Sequence, residues 1–296
     1  MKEVSTREIS VVLGTYNRKN FLKLTINNIR QELTRLNKPT EIIVIDGGST
    51  DGTIRWLAKQ KDIITIVQHN RGSWNGKPLE RRSWGYFMNL GFKCAQGKYI
   101  CMLSDDCLLV PNSLRNGYEL IEEKRNSGEK LGALAFYWRE WPKDKRYHVG
   151  VTIGNNVFVN HGIYLNKALQ EVGYIDEETY SFYFADGDLC LKLKEAGYET
   201  IVSPNSYVEH YPHANQKLRA KNLSYVEKDQ QAYFSRWKNN KNICSPLINF
   251  AGIKPHNDQH KTGSLFKQVE RKEPRIMINK VKSWCKKKIK SQLGWQ

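Results

Sequence analysis

The chain has 296 residues, of which 40% are hydrophobic, and its formal net charge is +17. This length and composition exclude a wholly disordered protein and predict one large domain with an appendage. The charge is uneven, because residues 261–296 hold eleven Lys or Arg and two Glu, so we divide the chain into a principal domain, residues 1–212, and a basic C-terminal segment, residues 213–296.

Short apolar runs alternate with helical patterns along the first third of the chain. Each run predicts a strand, and the apolar residues between the runs recur at helical spacing. The predicted strands are 9–13, 41–45, 63–67 and 99–103, and the predicted helices are 21–33, 54–58 and 83–95. This alternation predicts an α/β fold with a doubly wound, mostly parallel sheet flanked by helices.

Polar loops follow all four of these strands. Because crossovers between parallel strands are right-handed, these loops are expected along one edge of the sheet, where open α/β folds bind their ligands. The loop after the fourth strand begins with Asp105 and Asp106. Paired carboxylates at a strand end suit a divalent cation on a phosphate-bearing substrate, and a solvated acidic corner is the alternative.

The second half of the chain is less regular. Residues 131–138 and 156–159 predict two more strands, and residues 166–172 and 186–196 predict two helices. Beyond residue 212 the periodicity weakens, so the C-terminal segment is expected to be peripheral and helical.

Five motifs occur in a fixed order between residues 8 and 212. They are Thr15-Tyr16-Asn17-Arg18, Asp46-Gly47-Gly48-Ser49-Thr50-Asp51-Gly52, Ser104-Asp105-Asp106, Asp186-Gly187-Asp188-Leu189 and His210. With these motifs the chain resembles the family 2 glycosyltransferases, whose catalytic domain has the GT-A fold and transfers a sugar from a nucleotide donor. The resemblance implies that residues 1–212 are a GT-A catalytic domain.

The resemblance implies that the strand ends bind the donor nucleotide, for which a UDP-sugar is expected. The implied residues are Thr15, Tyr16, Asn17, Arg18, Asp46, Arg71 and Asp105. Asp46 would accept a hydrogen bond from the base. The planar guanidinium of Arg71 would meet the base or the diphosphate, and an ordinary surface arginine is the alternative.

The resemblance also implies a metal site. Asp106 would ligate the ion directly, Asp105 would face the ion and the ribose, and His210 would be a further ligand. Such ligands suit Mn²⁺ or Mg²⁺, which would stabilise the departing nucleoside diphosphate. His210 is equally well explained as a hydrogen-bonded core residue, and His213 competes for the same role.

Asp186 corresponds to the general base of the family, which removes a proton from the acceptor hydroxyl and leads to inversion at the anomeric carbon. Asp186 and Asp188 both lie at the predicted start of a helix, where carboxylates also serve as caps. The sequence leaves open which of the two is the base and which one caps. Capping would depress the pKa of the carboxyl involved.

Three positions depart from the family pattern. Gly47, Ala185 and Met88 stand where the family often has an acid, a Glu and an Arg. The expected substitutes for the missing arginine lie in the insert between residues 73 and 82, and they are Lys77, Arg81 and Arg82.

The acceptor site is predicted from aromatic residues in the irregular half of the domain. Trp138 and Trp141 would stack on sugar rings, and Asp188 is a weaker acceptor-binding candidate. The alternative is that both tryptophans belong to the core.

The C-terminal segment predicts an interfacial amphipathic helix, because Trp284, Trp295 and an apolar stripe are surrounded by lysines. An anionic membrane surface is the expected partner, and a helix packed on the core is the alternative. No apolar run reaches the roughly 18 residues of a membrane span, and the N-terminus lacks a signal-like region. The six cysteines lack metal-type or redox-type spacing. We therefore expect a cytoplasmic protein, peripheral at the inner face of the cell membrane.

Together these observations predict a metal-dependent inverting glycosyltransferase that extends a glycan or a lipid-linked glycan in surface polysaccharide synthesis. The alternative is a catalytically silent nucleotide-sugar-binding or scaffold protein at the membrane. Nucleic-acid binding rests on charge alone, and we do not expect it.

Overall fold

A computed structural model describes residues 7–70, 72–211, 222–240, 250–255 and 261–273. Ten strands of this part of the chain form one central sheet. They are β1 (Ile9–Thr15), β2 (Thr40–Asp46), β3 (Ile63–Val67), β6 (Tyr99–Ser104), β7 (Cys107–Leu109), β8 (Leu131–Glu140), β9 (Arg146–Gly150), β10 (Gly162–Leu165), β11 (Glu199–His210) and β12 (Phe250–Pro255). A separate two-stranded hairpin consists of β4 (Ser73–Trp74) and β5 (Lys77–Pro78).

Helices cover the sheet. They are α1 (Lys19–Leu36), α2 (Thr53–Leu57), α3 (Trp84–Cys94), α4 (Ser113–Asn126), α5 (Asn166–Glu171), α6 (Ala185–Glu195), α7 (Val226–Trp237) and α8 (Phe266–Lys272). In α1 the fully buried Leu22, Ile26 and Ile29 are spaced by three or four residues and form the face that packs on the core. The helix ends at Asn37, whose left-handed backbone (φ 52°) lets its N–H bond to Leu33.

The first half of the sheet is parallel, as predicted. β1 lies between β2 and β6, and β3 pairs with the outer edge of β2. The register sets Thr15 opposite Asp46, and Gly14 opposite Ser104. The carboxyl ends of these strands therefore open onto one edge of the sheet, where the candidate site lies.

The second half of the sheet is mixed. β10 runs antiparallel to both β6 and β8, and β9 and β12 continue antiparallel beyond β8. β11 is parallel to β8 and antiparallel to β7. The α/β class is confirmed, whereas the predicted strand at 156–159 is reduced to a single bridge between Val151 and Val157.

Residues beyond 212 also enter the core. Tyr233 and Trp237 of α7 join the main hydrophobic cluster, and Phe266 of α8 joins a second cluster. β12 extends the sheet next to β9. The boundary at residue 212 stays a prediction, and the predicted interfacial helix, which spans residues after 273, lies outside the described residues. Within the described part of the chain, no helix combines the length and apolar character of a membrane span.

Candidate active site

The acid pair lies in the tight connection between β6 and β7. Asp105 and Asp106 are 3% and 4% exposed. The hydroxyl of Thr25 donates a hydrogen bond to the Asp105 carbonyl (2.9 Å), and the Tyr211 amide donates to the Asp106 carbonyl (2.9 Å). The backbone is thus held on both sides, and the two carboxylates are fixed at the edge of the sheet.

Arg18 binds both acids of the pair. Its Nη1 lies 2.7 Å from an oxygen of Asp105 and 2.7 Å from an oxygen of Asp106. Thr15 donates a third hydrogen bond, from its Oγ1 to Asp105 (2.7 Å). Burial raises the pKa of Asp105 to about 6, although Arg18 acts to lower it. Burial alone would lower the pKa of Arg18, but the two carboxylates raise it above its ordinary value.

His210 approaches the same pair from the end of β11. Its Nε2 lies 3.6 Å from Asp106 Oδ1. Asp106 Oδ1 and His210 Nδ1 are both buried, and neither has a hydrogen-bond partner among the described residues. A buried carboxylate oxygen without a hydrogen-bond partner is costly, so the arrangement suits a cation at Asp106 Oδ1.

Cys107 lies close to this site and is absent from the sequence-based predictions. The potential ligand atoms of Asp106, Cys107 and His210 all lie within 4.8 Å of one another. The thiol contacts Nε2 of His161 (3.5 Å), and burial raises the pKa of Cys107 well above its ordinary value. Burial therefore favours the neutral thiol when no cation is bound, and Cys107 is a further potential ligand beside Asp106 and His210.

The end of β2 shapes the neighbouring loop. Asp46 is fully buried, and its Oδ1 accepts hydrogen bonds from the amides of Gly48 (2.8 Å) and Ser49 (2.6 Å). Its Oδ2 is also buried and has no hydrogen-bond partner in the part of the chain that the structure describes. Asn17 fastens the same loop, because its Oδ1 accepts the Thr50 amide (2.7 Å).

A cavity of about 850 Å³ connects these strand ends to α6. Seven of the predicted site residues line it, and they are Thr15, Tyr16, Arg18, Asp105, Asp106, Asp186 and His210. Asp46 and Asn17 are not among the residues that line it. Arg71 lies outside the described residues.

Asp186 lies in the first turn of α6 and lines the same cavity. Its Oδ1 accepts a hydrogen bond from the Gly187 amide (3.0 Å). Burial raises the pKa of Asp186 to about 6, and this outweighs the opposite effect of that hydrogen bond. The depressed pKa that a capping role would give is therefore not seen at Asp186.

Asp188 is buried on the far side of the same turn and does not line the cavity. One carboxylate oxygen accepts hydrogen bonds from Trp237 Nε1 (2.8 Å) and the Tyr180 hydroxyl (3.1 Å), and Arg236 lies 3.3 Å away. These partners hold the carboxylate of Asp188 inside the fold, and its role in acceptor binding stays a prediction. They also show that Asp188 bonds to side chains rather than capping the helix.

The two predicted acceptor tryptophans lie outside the cavity lining. Trp141 is 9% exposed and packs against Tyr211 and Phe266 in the second cluster, so it is a core residue. Trp138 is half-buried and packs on the ring of His148, with ring centroids 4.2 Å apart. Trp141 is thus packed as the core alternative describes, and its contact with an acceptor stays a prediction.

Other aromatic residues line the cavity together with Asp186. Six of them are Phe158, Phe182, Tyr183, Phe184, Tyr233 and Phe234. Three of the six are consecutive and directly precede α6, which is a signal in the sequence that could have identified them. Of the other three, Phe158 lies before β10, and Tyr233 and Phe234 are neighbours in α7.

One predicted substitute for the missing arginine reaches the cavity. Arg81 lines it, donates a hydrogen bond to Asn222 (2.7 Å) and lies over the ring of Tyr225 (5.2 Å). Arg82 lies outside the cavity, and the central carbon of its guanidinium is 5.5 Å from the centroid of the Tyr86 ring.

Comparisons with known proteins agree with this geometry. The family described as "Glycosyl transferase family 2" matches residues 10–185. An uncharacterized glycosyltransferase of Rickettsia bellii is 34% identical over 119 residues, which are 39% of this chain and 15% of that protein. The chain spans between 15% and 43% of the length of the curated relatives it matches.

Two solved structures share the fold. S. aureus TarS 1-349 in complex with UDP-GlcNAc has a TM-score of 0.51 and 17% identity, over 79% of this chain and 74% of that one. Mannosyltransferase PcManGT from Pyrobaculum calidifontis, in complex with GDP-Man and Mn²⁺, has a TM-score of 0.53 and 17% identity, over 75% of this chain and 62% of that one. These likenesses confirm the GT-A fold, and the family match covers more than half of the chain. The chain therefore belongs to glycosyl transferase family 2.

Proposed function

We propose that this chain is a metal-dependent, inverting glycosyltransferase that moves a sugar from a nucleotide-sugar donor to a glycan or lipid-linked glycan in surface polysaccharide synthesis. One observation carries the proposal. A single cavity is lined by the acid pair with Arg18 and His210, which we call its donor end, and by Asp186, which we call its acceptor end. A nucleoside diphosphate and an acceptor hydroxyl would thus meet between a cationic site and a base.

The donor would bind at the ends of β1, β2 and β6. Thr15, Tyr16 and Arg18 line this part of the cavity. The unpartnered Oδ2 of Asp46 supports its role as an acceptor for an N–H of the base. Two structural neighbours hold UDP-GlcNAc and GDP-Man, which supports a nucleotide-sugar donor, and we propose a UDP-sugar.

The metal would be held by Asp106, with Asp105 and His210 beside it. Carboxylate and imidazole ligands fit Mn²⁺ or Mg²⁺, and the buried, unpartnered Oδ1 of Asp106 supports this assignment. When bound, such an ion supplies positive charge to the departing diphosphate. Arg18 lies at the same end and would share that charge with the phosphate oxygens.

Asp186 would act as the base. Its carboxylate removes the proton of the acceptor hydroxyl while that oxygen attacks the anomeric carbon. The bond between the anomeric carbon and the phosphate oxygen breaks, and its electron pair leaves with the nucleoside diphosphate. A carboxyl whose pKa is about 6 is largely ionised at neutral pH and is a stronger base than an ordinary aspartate. Displacement in one step from the opposite face inverts the anomeric carbon.

The acceptor would lie against the aromatic end of the cavity. Phe182, Tyr183 and Phe184 precede Asp186, and Phe234 of α7 is 37% exposed at the same end. Aromatic rings stack on the C–H faces of sugars, which suits a glycan acceptor.

The proposal includes a peripheral membrane location through the basic segment after residue 273, and this part rests on the sequence alone. Sedimentation of the full chain with vesicles containing anionic lipid, compared with a chain that ends at residue 273, tests it. Equal sedimentation of the two chains would contradict it.

Release of nucleoside diphosphate from a panel of UDP-sugars and GDP-mannose, with Mn²⁺, Mg²⁺ or chelator, tests the catalytic part. We expect metal-dependent release from one donor, and its loss in Asp106→Ala. Asp62→Ala, an exposed aspartate paired with Arg30 (2.7 Å), is the matched control and should behave as the wild type. No release from any donor, together with no metal-dependent nucleotide binding by calorimetry, would favour the silent scaffold.

A further inference from the structure

Helix α7 lies beyond the family-matched residues 10–185 and makes a concentrated set of contacts with the segment that carries Asp186. Asp229 in its first turn is fully buried. Its two carboxylate oxygens accept three successive backbone amides, from Ser181 (3.0 Å), Phe182 (2.8 Å) and Tyr183 (2.9 Å).

Those three amides belong to a segment that forms no helix or strand. Residues 181–184 connect the buried Tyr180 to α6, and Phe184 has a left-handed backbone (φ 65°) immediately before the helix. A buried carboxylate that accepts three N–H groups is a strong fixed point, because charged hydrogen bonds are stronger than neutral ones. Asp229 therefore determines where this segment ends and where α6 begins.

The far end of α7 holds the first turn of α6 from its other side. Trp237 donates to Asp188 (2.8 Å), and Arg236 lies 3.3 Å from the same carboxylate. Between these ends the ring of Tyr233 packs against Phe184, with centroids 5.2 Å apart. Asp186 thus lies between two points that are both attached to α7.

We propose that α7 is the element that positions Asp186, and that Asp229 is a positioning residue of the reaction. The proposal rests on the proposed function, since it assumes that Asp186 is the base. Asp229 does not line the cavity, so it acts through the backbone of residues 181–183 and not through the substrates.

The test compares Asp229→Asn with the wild type and with Asp176→Asn. Asparagine keeps the size of the side chain but removes the charge and replaces one acceptor oxygen with a donor. Asp176 forms an ion pair with Arg236 of α7 (3.2 Å). The amides of residues 181–183, however, donate their hydrogen bonds to Asp229. Asp176 is therefore a matched control for the loss of a carboxylate at this interface.

Three readouts are measured on the full chain. Hydrogen exchange of the amides at 181–183 should be faster in Asp229→Asn. Hydrolysis of whichever of UDP-glucose, UDP-GlcNAc and GDP-mannose the wild type hydrolyses should lose about tenfold to a hundredfold in kcat, because misplacing a reacting group by an ångström has effects of this size. The KM of the variant for the donor should stay within about twofold of the wild-type value.

The pH profile separates positioning from a loss of folded protein. Water that reaches Asp186 through a loosened segment lowers its pKa, so the low-pH limb of kcat should move to lower pH in Asp229→Asn. A smaller folded fraction would lower kcat and leave the limb in place. If the asparagine variant does not fold, Asp229→Glu replaces it in the test. Glutamate keeps the charge but is longer by one methylene group, so it should show the same changes to a smaller extent.

Equal kcat, KM and pH limb in Asp229→Asn and Asp176→Asn would overturn the inference and leave the proposed function standing. Absence of hydrolysis in the wild type with every donor would overturn the proposed function, and the inference with it.

Discussion

The two ends of the cavity hold their carboxylates in different ways. At the donor end, Asp105 and Asp106 share the guanidinium of Arg18 at 2.7 Å. At the acceptor end, Asp186 accepts one amide hydrogen bond, from Gly187, and no cation of the described residues forms an ion pair with it. Burial raises the pKa of Asp105 and of Asp186 to about 6, so the difference lies in the neighbours and not in the burial.

This difference separates two kinds of chemistry. The donor end already contains one fixed positive charge beside two acids, which suits the binding of a cation together with a diphosphate. The acceptor end has an acid among aromatic rings, which suits proton removal from a hydroxyl that is stacked on those rings. The first three variants below each change one end and leave the other intact.

The largest effect is expected from Asp106→Ala at the donor end. Removing the proposed direct ligand should lower turnover by about a thousandfold, because the developing charge of the leaving group loses its stabilisation. Titration of Mn²⁺ by electron paramagnetic resonance should show weaker binding in the variant. Unchanged Mn²⁺ affinity would remove Asp106 from the metal site.

Asp186→Asn should come next, with a loss of several hundredfold, on the order of a general base contribution. The amide cannot take up the proton, but it has the same size, so calorimetry should find nucleotide binding within about twofold of the wild type. A variant that loses nucleotide binding instead would place Asp186 at the donor end.

Arg18→Met tests the shared cation through stability. It leaves two buried carboxylates without their counter-charge and should cost about 3 kcal/mol of unfolding free energy at pH 7. The cost should shrink towards pH 5, because a protonated Asp105 needs no counter-charge. Urea denaturation at both pH values measures it. Arg30→Met, which removes an exposed ion pair, is the control and should cost under about 1 kcal/mol.

The pH dependence of turnover should show the state of Asp186. A base must be ionised, and its raised pKa of about 6 means that kcat falls about tenfold per pH unit below that value and is flat above it. Asp186→Asn should abolish this limb in its residual activity. If kcat of the variant still falls at low pH, the titrating residue is one other than Asp186.

The smallest effect is expected from Trp141→Phe. The indole packs on Tyr211 and Phe266 outside the cavity, so turnover should stay within about twofold while the smaller ring costs roughly 1 kcal/mol of stability. A large rise in the KM for the acceptor would contradict this prediction and would indicate that Trp141 contacts the acceptor.

The donor end could be predicted from the sequence because its residues follow consecutive parallel strands. Strand β3 was predicted at its observed bounds, and the register sets Thr15 opposite Asp46, at the strand ends where the polar loops were expected. The contact of Arg18 with the acids could not be predicted, since 87 residues separate it from Asp105 and only the folded loop brings them together.

The acceptor end could not be assembled from local patterns. Beside the acid pair, β7 was also missed, because it has three residues and is defined by its pairing with β11, about a hundred residues later, so no periodicity marks it. Trp141 was predicted to stack on a sugar ring because the sequence does not show that Phe266 packs against its indole. The contribution of α7 was equally hidden, because Asp229 is 48 residues away from Ser181.

The most direct test of the two-ended site is Mn²⁺-dependent nucleotide binding and nucleotide release, measured side by side in the wild type, Asp106→Ala and Asp186→Asn. We predict that Asp106→Ala loses the dependence of binding on Mn²⁺, and that Asp186→Asn keeps it but releases product several hundredfold more slowly. Wild-type release by Asp186→Asn, or unchanged Mn²⁺-dependent binding by Asp106→Ala, would contradict the division of the cavity into a cationic donor end and a basic acceptor end.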